Sequence, residues 1–436
     1  MDKLRAIIVS MIAVAVVVGA SISLYYVGPY KGTLAPQQTN TSGSASVQNN
    51  TASNHHNTFA VLYDPHSPTI SDTRLKVEKV VEGMDLPTSM TFIDHDNVLI
   101  LQKDNGMVRF VSNGTLQVNP LLDVSVEMSS ERGLLGVAVT NAAGENKTVF
   151  LYYTEVSHDE VRNRIYRFDW DGVSSLTEGT LLLDLPGEPG PNHDGGKILV
   201  GPDGLLYAVI GDLNRNGMLQ NYKTGPKPDD TSVILRVDRD GDAVNGSLPG
   251  DWSRYYAYGI RNSFGLDFDP LTEVLWDTEN GPEAYDEINV VKPGFNSGWE
   301  QVMGPLERKG AIVDNLMQLE GSHYADPVFS WRQTQGITDI EFLNSTKLGE
   351  KYAHNIFVGD INSGNLYFFT VNDGRTGLEL GDAGLDDLVA DNDQEIDAVT
   401  FGTGFIGGIT DIETGPDGYL YILTFGGNLY RILPAS

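Results

Sequence analysis

The chain has 436 residues, of which 40% are hydrophobic and 20% charged, with 48 glycines and no cysteine. Disulfide scaffolds, thiolate metal centres and cysteine nucleophiles are thereby excluded. Acidic residues number 59 against 29 basic ones, a formal charge of −30. That field repels nucleic acid and anionic lipid headgroups and suits divalent cations and neutral small molecules.

Lys3 and Arg5 precede an uncharged apolar run from Ile7 to Val27. The run is about 21 residues long, roughly a bilayer core at 1.5 Å per residue. It reads as a retained anchor or a cleaved signal peptide. The anchor is preferred, because the run is long for a signal segment and Gly19-Ala20-Ser21 is a weak cleavage site. Positive charge ahead of it places the rest of the chain outside the cytoplasm. Residues 1–28 are thus predicted as a transmembrane or signal helix. Residues 29–71, rich in Ser, Thr and Asn, are predicted as a disordered tether that cannot bury enough surface to order itself. Glycosylation sequons begin at Asn40, Asn49, Asn113, Asn146, Asn245 and Asn344.

From about residue 72 to 436 the pattern becomes short stretches of alternating apolar and polar residues ending in turns, which predicts an all-β region. Gly201-Pro-Asp-Gly-Leu-Leu-Tyr is echoed by Gly415-Pro-Asp-Gly-Tyr-Leu-Tyr. Looser copies run from Met90 to Gln102, Gly136 to Tyr153, Gly265 to Thr278 and Asp339 to Gly359. Six units with starts roughly 45 to 75 residues apart predict a six-bladed β-propeller, in which stacked sheets cover each other's faces. The stretch Leu75-Lys-Val-Glu-Lys-Val-Val is expected to complete the last blade. The run from Asp382 to Asp397 reads as a solvated interblade loop. Tyr207, Tyr421 and Phe425 read as interblade core, and Asp238-Arg-Asp-Gly-Asp as a hairpin turn or a partial calcium loop.

Three loops carry candidate chemistry. His193, in Pro191-Asn-His-Asp-Gly-Gly-Lys, is expected at the mouth of an inner strand, where an imidazole can accept a proton near neutral pH. Arg261 and Asn262, in Gly259-Ile-Arg-Asn, adjoin a strand expected to line the channel and suit a carboxylate or carbonyl ligand. Thr278-Glu-Asn-Gly-Pro-Glu-Ala-Tyr-Asp-Glu-Ile-Asn, followed by Pro293-Gly-Phe-Asn-Ser-Gly-Trp, concentrates carboxylates and glycines, the oxygen-rich setting that a hard cation such as calcium requires. The plainer readings are a backbone-bonded loop histidine, an arginine tying adjacent blades and a solvated acidic loop.

In this order, and with Arg132-Gly-Leu-Leu-Gly and Asp286-Glu-Ile-Asn, these segments resemble the soluble PQQ-dependent sugar dehydrogenases (glucose/sorbosone dehydrogenase-like, aldose sugar dehydrogenase type). The resemblance covers residues 80 to 430. It implies a six-bladed propeller that oxidises an aldose or related alcohol outside the cytoplasm by hydride transfer to pyrroloquinoline quinone (PQQ) with calcium assistance. His193 would be the base. Arg261, Asn262 and Glu131 would hold the cofactor, and the carbonyls of Gly281 and Pro282 would bind calcium. Asp286 and Glu287 would belong to a neighbouring calcium region. The partners implied are a small-molecule sugar, an external electron acceptor and, through the N-terminal helix only, a membrane; no nucleic acid is expected.

The chain departs from the family pattern in its cations. Asn362 stands where a blade-five lysine is expected, and Gly408 and Thr410 where blade-six arginines are. Lys197, Arg332 and Lys292 are the candidates to compensate. The departure motivates a second reading, a non-catalytic calcium-containing propeller that binds a glycan or protein ligand. A third, a calcium-dependent lactone hydrolase, rests on fold analogy alone.

Overall fold

The inner strands of this protein are mostly buried, because sheets cover them on both sides, and among their apolar and small residues they carry a few acids. Leu134–Val139 is buried at every position, and Ile337–Phe342 at all but one. The computed structural model describes residues 67–435 apart from 141–146, 174, 216–218, 220 and 382–383. The predicted N-terminal helix and most of the tether lie outside the described residues. Among those described, no helix is long and apolar enough to cross a membrane.

The strands of the described residues pair into six sheets. Their innermost strands are β1 (Pro87–Phe92), β2 (Leu134–Val139), β3 (Ile198–Val200), β4 (Gly265–Phe268), β5 (Ile337–Phe342) and β6 (Ile409–Thr414). Each packs against the next, and β6 returns to β1, so the sheets form a closed ring around a central axis. This is a β-propeller. Each of the six self-similar sequence units falls on a different sheet. Leu75–Val81 pairs antiparallel with Asn428–Pro434, joining the chain's two ends in the last sheet, as its sequence leads one to expect.

Apolar clusters fill the seams between neighbouring sheets. Phe150, Tyr152 and Ile165 of the second sheet pack on Ile198, Ala208 and Leu235 of the third. Trp276 and Trp331 of the fourth pack on Ile340, Tyr367 and Phe369 of the fifth. Burial of large rings at about 25 cal/mol per Å² makes these seams the main stabilising surfaces. Tyr207 and Tyr421 lie in such seams, 3% and 8% exposed. Phe425 does not: it lines the central cavity.

Near the axis a polar tie links four sheets. The Lys197 ammonium lies 2.9 Å from Asp339 Oδ1 and 2.7 Å from Asp411 Oδ1. Asp411 Oδ2 also accepts from the Met90 N–H, and Asp339 Oδ2 from the Ile412 N–H at 2.8 Å. Strands β3, β5, β6 and β1 thus share one ion-pair network.

Two further expectations are corrected. Thr69–Ile70, assigned to the tether, pairs with Thr400–Thr403, because that strand's outer edge offers unpaired ladder groups. The acidic run from Asp382 contains a helix, α1 (Asp393–Val399). The Asn392 side chain accepts from the Gln394 and Glu395 N–H groups, and Ile396 and Val399 face the core. Asp238 Oδ1 accepts from the Asp240 and Asp242 N–H groups, which accounts for that segment as a turn.

Candidate active site at the mouth of the ring

His193 lies in the loop entering β3. Its φ of +64° is uncommon for a residue with a side chain, and the residue is 8% exposed. Two contacts hold it. Its N–H donates to Glu131 Oε2 at 2.6 Å, and its Nδ1 lies 2.5 Å from Asp212 Oδ1. The carboxylate accepts, so Nδ1 carries the proton and Nε2 is the nitrogen available to take another.

Asp212 follows the strand Leu206–Ile210 and is fully buried. Its Oδ1 also accepts from the Asn214 N–H at 2.9 Å. Its Oδ2 accepts from Trp299 Nε1 at 2.9 Å. The preceding Gly211 makes this possible. A Cβ there would sit 2.6 Å from the His193 carbonyl oxygen and 2.5 Å from that of Arg261. Two loops distant in sequence thus close on one glycine, and the Asp212 N–H donates to the Arg261 carbonyl.

The Arg261 guanidinium stands over the Trp299 ring, 5.3 Å from its centroid, and donates through Nη1 to the Asn280 carbonyl at 2.8 Å. Its Nε has no partner among the described residues. Burial draws its pKa down, opposed by Asp212, Glu279 and Glu131. Asn262 Nδ2 donates to Glu131 Oε2 at 3.2 Å, while its buried Oδ1 has no partner among the described residues. Glu131, His193, Arg261 and Asn262 are therefore one cluster, linked by Asp212 and Trp299.

The Gly281–Pro282 turn adjoins it. Asn280 Nδ2 donates to the Ile337 carbonyl at 2.7 Å, fastening the turn to β5. Asp286 Oδ1 accepts from the Gly281 N–H at 2.9 Å, and its Oδ2 from the Gln335 and Gly336 N–H groups at 2.6 and 2.8 Å. Glu287 accepts from the Gly304 N–H. In this structure Asp286 and Glu287 both tie turns together. Behind them Asp277, Glu279 and Glu287 share one face of a hairpin. Burial pushes all three carboxyls up, Glu279 to about 7, and Glu279 raises the other two further. Among the described residues no three carboxylate or imidazole groups are arranged to hold a metal ion.

A cavity of about 250 Å³ opens beside Glu131. Lys103 and Lys197 are on its wall, with Asp411, Thr338, Thr410, Ile361 and Phe425. Of the three compensating cations considered, only Lys197 reaches it. Arg332 is exposed and 3.5 Å from Asp391, and Lys292 is exposed.

Sequence reasoning missed Asp212 and Trp299. The signal for Asp212 was Gly211-Asp212 at the end of a strand aimed at the axis, a site where only close approach demands glycine. Trp299 closes the segment that begins at Pro293, which gave it no role of its own. Arranged this way, the cluster can remove a proton from a hydroxyl group at Nε2 while Arg261 and Asn262 bind a polar ligand.

The family model described as "Glucose / Sorbosone dehydrogenase" matches residues 84–431. Aldose sugar dehydrogenase YliI of Escherichia coli is 26% identical over 389 residues, covering 83% of this chain and 94% of that protein. A glucose dehydrogenase-type oxidoreductase from Thermus thermophilus superposes with a TM-score of 0.65 at 25% identity, over 82% of this chain and all of that one. The PQQ-bound aldose sugar dehydrogenase of Streptomyces coelicolor has a TM-score of 0.64 at 23% identity, over 84% of this chain and 99% of that one, a likeness of fold.

Proposed function

The chain belongs to the glucose/sorbosone dehydrogenase family, and we propose that it is a PQQ-dependent oxidoreductase of aldose sugars or related alcohols, its six sheets being the blades of a six-bladed propeller. The observation that carries this reading is the His193–Asp212 pair, 2.5 Å apart and buried beside Arg261 and Asn262. A buried imidazole held in one tautomer by a carboxylate is the arrangement a general base requires. The non-catalytic reading gives it no use.

In this proposal a sugar hydroxyl binds at Nε2 of His193 and gives up its proton there as hydride leaves the same carbon. Asp212 fixes the ring and stabilises the imidazolium that forms. When bound, PQQ supplies the hydride acceptor and calcium polarises its quinone oxygen. The groups present fit the quinone end. Arg261 Nε and Asn262 Oδ1 are a buried donor and acceptor without partners among the described residues, and the oxygen-rich turn at Gly281 and Pro282 offers carbonyls for the cation. Asp286, which accepts from the Gly281 N–H, would order that turn around it, and Glu287 the neighbouring turn at Gly304. We further propose that the propeller lies outside the cytoplasm, on an N-terminal anchor, and hands electrons to an external acceptor.

The test is dye reduction by the calcium-loaded full chain with added PQQ and a panel of aldoses. Sugar-dependent turnover is expected with the unmodified chain. His193→Ala should lower kcat by about 10²–10⁴-fold, the usual share of a general base. Turnover undiminished in that variant would remove the assignment.

A further inference from the structure

The cavity beside Glu131, whose carboxylate accepts from the His193 N–H, is built largely from neutral walls and cancelled charges. Lys197 is the innermost cation on it, yet its ammonium is shared between Asp339 and Asp411. Those three groups together carry one negative charge, or none where burial keeps Asp339 protonated. Lys103 is 2.6 Å from Asp104 Oδ1. Glu131 adds a carboxylate that accepts from the His193 backbone N–H and from Asn262 Nδ2. Arg261 stands outside this lining: its guanidinium donates to the Asn280 carbonyl and feels the charge of Asp212, Glu279 and Glu131.

The wall contributed by β6 and its neighbour has no cation among the described residues, and beside it one position has no room for a side chain. Thr410 and Ile361 line it. Gly408 has φ +87°, and a Cβ there would lie 2.1 Å from the Ile361 carbonyl oxygen. No side chain, charged or not, enters at that point without moving the backbone. PQQ bears three carboxylates, and anions in a partly desolvated cavity need charge-assisted donors. Among the described residues this cavity offers none that is not already paired with an acid.

We propose that the cavity selects a quinone of low negative charge, neutral or singly anionic, over a tricarboxylate. The inference rests on the dehydrogenase reading and concerns only the charge of the redox group it accommodates. PQQ itself would then bind weakly and exchange, acting as a dissociable reactant.

Titration calorimetry of the calcium-loaded full chain with PQQ and with its uncharged trimethyl ester tests it. The ester is expected to bind at least tenfold more tightly. The affinity for PQQ should hold or rise as salt increases, because screening relieves repulsion; a cationic site weakens under the same change. Thr410→Arg, which adds a cation to the wall, should tighten PQQ at least tenfold and reverse the preference. Glu131→Gln, which removes an anion but retains an acceptor, should tighten PQQ without the bulk of an arginine. PQQ binding more tightly than the ester, with affinity falling as salt rises, overturns the inference and leaves the dehydrogenase reading standing. Failure of both quinones to bind overturns the two together.

Discussion

In the proposed mechanism, Asp212 decides which nitrogen of His193 meets the substrate. Neutral imidazole has one N–H, and the carboxylate draws it to Nδ1. Asp212→Asn keeps the shape but can donate to Nδ1 and turn the tautomer round. It is expected to lower kcat by at least about tenfold while changing KM little, and to move the acid limb of the pH–rate profile, within the range usual for general-base catalysis. An unchanged pH profile would show that Asp212 only packs. Gly211→Ala tests the close approach directly. Its Cβ would press on two backbone oxygens, those of His193 and Arg261, so both activity and Tm should fall. That His193, Arg261 and Asn262 belong to one cluster was legible in the sequence because each stands in a turn beside a strand and matches a family segment; Glu131, which joins them, came from the resemblance alone. Asp212 was not, since its partnership with His193 depends on how two loops close on Gly211. The pairing of Lys197 with acids 142 and 214 residues away was beyond any local signal.

Among the elements, α1 shows how an acidic run hides a helix. Asp393 and Glu395 sit in its first turn, where negative charge complements the free N–H groups. Asn392 supplies the cap, and the two apolar positions, three apart, face the core. Counted by charge, the stretch reads as solvent loop; counted by period and cap, it is a short helix. Asn392→Ala should therefore lower stability by about 1 kcal/mol, the usual cost of a lost side-chain cap. A thermal melt checks it, and no change in Tm would mean that burial of Ile396 and Val399 alone holds the turn. The strands were easier to read. Their period-two patterns and Asp-Gly turns recur along the chain, and one strand closes the ring from the far end of the sequence. Deleting Leu75–Val81 should expose the edge of Asn428–Pro434 and abolish cooperative unfolding; a deletion variant with an intact sharp melt would contradict that role.

For the whole molecule, the axis and the fourth sheet bring together acids that the sequence scatters over roughly 150 residues. Asp267, Asp339, Glu341 and Glu413 lie on β4, β5 and β6, and burial is the first cause that raises each of their pKa values. Asp267 rises to about 6, Glu279 to about 7 and Glu413 to about 8. The sign follows from linkage. An acid whose folded pKa lies above its unfolded one binds protons more tightly when folded, so it imposes no penalty below the unfolded value. Its penalty grows as pH rises towards the folded pKa and then levels off. Carboxylates held low, such as Asp72 beside Arg74 and Asp269 beside Arg375, act oppositely and lose their contribution as pH falls through their folded values. The two sets place maximum stability in mildly acidic solution. Between about pH 5 and pH 8 the Tm should fall by several degrees, since a tenfold change in proton affinity on folding is worth about 1.4 kcal/mol and several groups share the window. Glu279→Gln keeps the acceptor for the Arg261 N–H but cannot ionise. It should flatten that slope without abolishing folding, which a melt series in matched ionic strength would reveal. A Tm that climbs from pH 5 to 8 would mean that these carboxyls are charged and compensated in the folded state, and that a cation balances them.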